Sequence, residues 1–241
     1  LPAKPPRGTS NVLRQSWDGV RFALGVRPIR ALLLLLGISS LFAAPYLVLM
    51  PVFAAQILGG GPRTLGLLLG AAGAGALLGA LVLASRDGAR GLGGWVVAAC
   101  AGFGLSVIAF AQSRSLVLSL ALLPLVGFFM MVQMAATNTL MQIMAPDRLR
   151  ARVMAVYTMT LLGMAPIGGL IAGALAHTLG APLTLSIGGG LCVLAALAFV
   201  RYLPTLRKEA REFILAQSAA GGEPPHSTSA SLPPPARPKA S

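Results

Sequence analysis

Charge is what this sequence has least of. Only 10% of its 241 residues are charged, and only six residues are acidic. A soluble domain of this size carries about 25% charged residues, so too few are present to cover a water-facing surface. The chain also has just two histidines and two cysteines. No Gly-x-Ser-x-Gly elbow, His-Glu-x-x-His pair, Cys-x-x-Cys pair or Gly-x-x-x-x-Gly-Lys loop occurs. These absences argue against hydrolysis, a metal centre, a bound cofactor and ATP-driven work by this chain. An enzyme is not the expectation.

What is present is apolar residue after apolar residue. The chain is 56% hydrophobic, with a mean hydropathy of +0.79. Six runs of roughly 20 or more apolar residues follow one another, each long enough to cross a hydrocarbon core about 30 Å thick. The expected fold is therefore all-α, a polytopic bundle of six transmembrane helices over 28–204. The spans are placed at 29–57, 64–85, 92–111, 115–145, 150–179 and 181–203. Turn signals separate them: Gly60-Gly61-Pro62, Asp87-Gly88, Ser113-Arg114-Ser115, Pro146-Asp147 and Gly180-Ala181-Pro182. Cys100 and Cys192 fall inside spans, where a thiol acts as a small apolar group, and no disulfide is expected.

The ends read differently. Residues 1–10 resemble a linker, with no apolar signal-peptide core. Over 11–27, Leu13, Trp17, Val20 and Leu24 recur at helical spacing opposite Arg14, Asp18 and Arg21, the pattern of an amphipathic helix lying on the membrane surface. Residues 205–241 are expected to form a cytoplasmic tail, disordered from about 218, where Pro, Ser, Ala and Gly dominate.

The net charge of +13 does not signal nucleic acid, because the basic residues sit in short segments between apolar runs. Of the 19 basic residues all but Arg63 and Arg114, hence 17, fall on one side of a six-crossing topology. The positive-inside rule then puts both termini in the cytoplasm. The expected location is the plasma (inner) membrane.

Polar residues inside the spans cluster in the fourth. Gln133 and Thr137 lie one turn apart, as do Met134 and Asn138. This stripe suits either a substrate-lining cavity surface or hydrogen bonding between helices. Phe42 and Tyr46 are the aromatic candidates on the first span. Pro45 and Pro51 in the first span and Pro124 in the fourth suggest interrupted helices at matching positions of two three-helix repeats. Pro166 beside Gly168 and Gly169 offers a pivot, and Gly75-x-x-x-Gly79 and Gly169-x-x-x-Gly173 permit close helix approach. All six acidic residues lie outside the spans, so no membrane-embedded carboxylate is available as a proton carrier.

Three stretches resemble the C-terminal six helices of the major facilitator superfamily. They are Asn138-Thr-Leu-Met-Gln142 running into Pro146-Asp147-Arg148-Leu-Arg150-Ala-Arg152, then Gly163-Met-Ala-Pro166-Ile-Gly168-Gly169, and Trp17-Asp18-Gly19-Val20-Arg21-Phe22. The chain is most similar to the secretion-effector branch, which includes enterobactin exporters and macrolide efflux proteins. The resemblance implies half of a twelve-helix fold built from two inverted three-helix repeats, with an N-terminal six-helix half as partner. It further implies a lipid bilayer environment, a small-molecule substrate, and a cytoplasmic loop motif here carried by Asp87, Arg90, Asp147, Arg150 and Arg152. One departure stands out: Leu83 occupies the place of the motif's Asp after the second span, with Asp87 a displaced substitute. A scaffolding membrane protein without transport activity is the alternative from another class.

Overall fold

A computed structural model describes residues 21–86 and 91–219, with side chains excepted at 147 and 202–219. Among the described residues, six helices are long and apolar enough to cross a membrane. We number them α1 (Arg27–Ile57), α2 (Pro62–Ala84), α3 (Leu92–Gln112), α4 (Leu116–Met144), α5 (Asp147–Leu179) and α6 (Ala181–Ala219). No strand occurs among the described residues. The expected spans agree with these to within three residues, except at the end of the sixth. There α6 continues to Ala219, beyond the apolar stretch that closes at Arg201. Good helix formers at Lys208, Glu209, Ala210, Arg211 and Glu212 favour this extension. The proposed surface helix lies outside the described residues over 11–20, and the chain is helical over 21–25.

The packing follows a three-helix repeat. α2 packs on α4 and α5 on α1; α3 packs on α4 and α6 on α1; α3 and α6 pack on each other. Exchanging α1–α3 with α4–α6 maps the first four of these pairs onto one another and the α3–α6 pair onto itself; α5 also packs on α6, a contact its mates α2 and α3 do not match. Three crossings are an odd number, so the second unit enters the membrane from the opposite side to the first.

Backbone contacts at glycine carry this arrangement. Gly75 of α2 sits against the Pro124 carbonyl of α4, and Gly127 of α4 against the Ala72 carbonyl of α2. The mates show the same device, with Gly168 of α5 against the Leu41 carbonyl and the Pro45 ring of α1. Gly104 of α3 and Gly189 of α6 face each other's carbonyls. Lipid offers no hydrophobic drive between helices, so close backbone packing and Cα–H···O contacts take its place. The expected Gly75-x-x-x-Gly79 contact is thus present, Gly79 meeting the Phe128 carbonyl. The second pair works differently: Gly173 has nothing nearby, and Gly168 makes the close approach instead.

α1 is not a continuous α-helix. It widens into π-helical turns at Ser39–Ala43 and Phe53–Ile57, just before Pro45 and just after Pro51. Pro45 has no N–H to give the Leu41 carbonyl and its ring crowds that carbonyl, so the helix must loosen there. An aromatic ladder ties α1 to α3. Tyr46 meets Phe103 edge-on at 6.2 Å, and Phe53 lies 4.7 Å from Phe110. Cys100 and Cys192 are both free, the Cys100 thiol donating to the Cys192 carbonyl at 3.6 Å.

Candidate functional site

A buried polar contact joins α1 to α4. Gln133 of α4 donates from Nε2 to Ser39 Oγ of α1 at 2.9 Å, and Ser39 Oγ donates to the Leu36 carbonyl at 2.9 Å. Ser39 stands at the first residue of the π-helical turn, so the interrupted segment of α1 is the part bonded to α4. Both side chains are buried. One turn further along α4, Thr137 is wholly buried, and its Oγ1 has no hydrogen-bond partner.

The two strips that the sequence sets side by side on α4 therefore part company. Gln133, Thr137 and Met141 are buried, whereas Met134 and Asn138 are half-buried and Gln142 is exposed. In this bundle Gln133 and Thr137 lie inside rather than on an open face. The open strip has its own polar chain: Gln142 donates to Asn138 Oδ1, and Tyr157 of α5 donates to the Met134 carbonyl at 3.0 Å. Tyr157 is the contributor that periodicity did not single out, because a lone tyrosine in an apolar run carries no pattern.

Tyr46 is likewise buried, its hydroxyl 4.0 Å from the Met130 sulfur, while Phe42 is half-buried. The hinge candidates divide. Pro45, Gly168 and Gly169 meet at the break in α1, Gly169 approaching the Val48 side chain. Pro51 and Pro166 stand exposed on their helices and do not join that contact. Of the loop motif, Asp87 and Arg90 fall outside the described residues. Asp147 begins α5, Arg150 is exposed and Arg152 half-buried. Where α2 ends and α3 begins, the Arg86 guanidinium lies 4.5 Å over the Trp95 ring, bracing the two helices.

The bundle is packed at glycine and carries a polar strip on one face; its first helix is interrupted, whereas α4, expected to break at Pro124, runs unbroken through it. The sequence matches the transmembrane secretion effector family over residues 6–220. The chain belongs to that family. It is therefore an integral, multi-pass membrane protein of the major facilitator kind, a transporter in contact with the bilayer. No curated protein and no solved structure matches it.

The outer faces of the two symmetry mates α2 and α5 remain open. Only 22% and 17% of their apolar windows are buried, against 56% for α1 and α3. Leu77, Leu78 and Leu81 on α2 and Met159, Leu162 and Leu170 on α5 are exposed. Such faces are for lipid or for another helix bundle.

Proposed function

We propose that this secretion-effector protein exports a small amphipathic molecule, siderophore- or drug-like, by alternating access. It would do so as the C-terminal half facing an N-terminal six-helix half. The observation that carries this reading is the interrupted first helix of one repeat, hydrogen-bonded at its break to the first helix of the other through Ser39 and Gln133. Broken helices at repeat interfaces are where transporters of this architecture bind and move cargo. Met134 and Asn138, with Phe42 across on α1, offer half-open side chains to substrate, methionine adapting to varied apolar shapes. Tyr46 and Gln133 hold α1 to α4, through Met130 and Ser39, with Thr137 buried one turn on from Gln133. The Pro45–Gly168 contact is the pivot, a place where α1 is already loosened and α5 can slide without side-chain interlock. Asp147, Arg150 and Arg152, with Asp87 and Arg90, would carry the family's cytoplasmic loop motif.

The distribution of basic residues favours both termini on the cytoplasmic side of the inner membrane. Single cysteines at Gly61 and Ser115, replacing exposed turn residues, should react with a membrane-impermeant thiol reagent on intact cells. One at Gly88 should react only after the membrane is opened. Labelling of the Gly88 cysteine in sealed cells would reverse the topology. Cells making the whole transporter should also accumulate less of a fluorescent amphipathic probe than cells lacking it, and equal accumulation would remove the efflux reading.

A further inference from the structure

We propose that a recess at the end of the bundle assigned above to the outside binds the anionic group of an amphipathic molecule. The recess has a volume of about 540 Å³ and lies where the ends of α1 and α3 meet the turn between α5 and α6. That size lies within the roughly 300–1,000 Å³ of small-molecule sites. Gln56, Gln112 and Arg114 supply its polar lining, and Val52, Ile57 and Leu179 stand among its apolar walls. Gln112 is held in place, its Nε2 donating to Ser186 Oγ of α6 at 2.9 Å.

Charge decides the class of ligand. The six acidic residues are Asp18, Asp87, Asp147, Glu209, Glu212 and Glu223. None of them falls in the three sequence segments that form the recess. None of the residues that line the recess is acidic, so its own walls leave the charge of Arg114 to a ligand. A guanidinium presents a fork of donors matched to a carboxylate, phosphate or sulfonate, and the neighbouring amides add neutral donors. The apolar walls ask for a hydrocarbon body beside that head, so inorganic phosphate alone satisfies half of the site. Two sources share the chemistry: the headgroup of an acidic phospholipid, and a free organic anion. The inference concerns equilibrium binding and does not depend on export.

The test uses the full chain in nanodiscs of phosphatidylcholine, titrated calorimetrically with 4-phenylbutyrate, 4-phenylbutylamine and inorganic phosphate. Phenylbutyrate should bind saturably, and the amine and inorganic phosphate far more weakly. Arg114→Gln should weaken phenylbutyrate binding by about tenfold or more, while Arg114→Lys keeps most of it. The Arg114 side chain is exposed, so an unchanged melting temperature in Arg114→Gln separates a lost contact from a lost fold. Phosphatidylglycerol in the nanodisc distinguishes the sources. If it depresses phenylbutyrate binding in the wild type and not in Arg114→Gln, a lipid headgroup is the occupant. If it has no effect, the occupant is a free organic anion. Equal binding of acid and amine, or binding indifferent to Arg114 for both phenylbutyrate and phosphatidylglycerol, overturns the site.

Discussion

Gly127→Val should yield no stable, monodisperse protein, whereas Gly73→Val should behave like the wild type. A Cβ at Gly127 would overlap the Ala72 carbonyl of α2, which is backbone and cannot rotate aside. The two helices would have to separate, and with them the reciprocal contact of Gly75 on Pro124. Overpacking a well-filled interior costs about 1–3 kcal/mol even where side chains can yield, so a backbone overlap should exceed that range. Gly73 lies on the same helix, two residues from Gly75, and a Cβ there meets nothing within 4 Å. The pair thus holds helix propensity and added volume nearly constant while changing only the contact. Size-exclusion profile and melting temperature in detergent read the result. Similar behaviour of both variants would mean that α2 and α4 do not pack as described.

Gln133→Leu and Asn138→Leu should fail in different ways. Gln133 is buried and bonded to Ser39, so its loss removes an interhelical hydrogen bond, worth roughly 0.6 kcal/mol on average in membranes. Ser39 keeps its own bond to the Leu36 carbonyl, so no buried hydroxyl hydrogen is orphaned. Melting temperature should fall modestly, with the substrate profile unchanged. Asn138 is half-exposed on the open strip beside Met134 and Gln142. Its replacement should leave melting temperature nearly intact and shift competition among substrates by about tenfold, the scale of one lost polar contact. The opposite assignment, with Gln133→Leu altering selectivity and Asn138→Leu altering only stability, would put the transport path on the other strip.

That distinction marks where sequence reading stops. Hydropathy placed six spans because the contrast between lipid and water is large and runs along the chain. It could not say which side of α4 faces protein, because both strips carry polar side chains that would rather avoid lipid. Gln133 and Asn138 are five residues apart, about 140° around the helix, and only packing separates them. The same ambiguity shifted the α5 contact by one residue, from Gly169 to Gly168, a rotation of about 100°. Pro124 and Pro166 lack the same N–H as Pro45, yet α4 and α5 run unbroken through them; of these only the break at Pro45 was legible. Its partner was not, because the glycine that shelters the break lies over a hundred residues away. The recess around Arg114 was invisible for that reason too. Its lining comes from three separated turns, each ordinary in its own sequence. The length of α6 escaped because polar helix formers past Arg201 carry no hydropathy signal.

Gradient-driven flux in proteoliposomes tests the central claim most directly. The chain should be reconstituted alone and, separately, together with the facing six-helix half from the same transporter. Each preparation is loaded with a panel of amphipathic substrates under proton and sodium gradients. Saturable flux should occur with both halves present and be absent with this chain alone, because its open faces on α2 and α5 and its polar strip on α4 need an opposing wall to enclose a path. No carboxylate lies in its spans to carry a proton. Saturable flux from this chain alone would contradict the half-transporter account, and absence of flux from the reunited halves across the panel would contradict export.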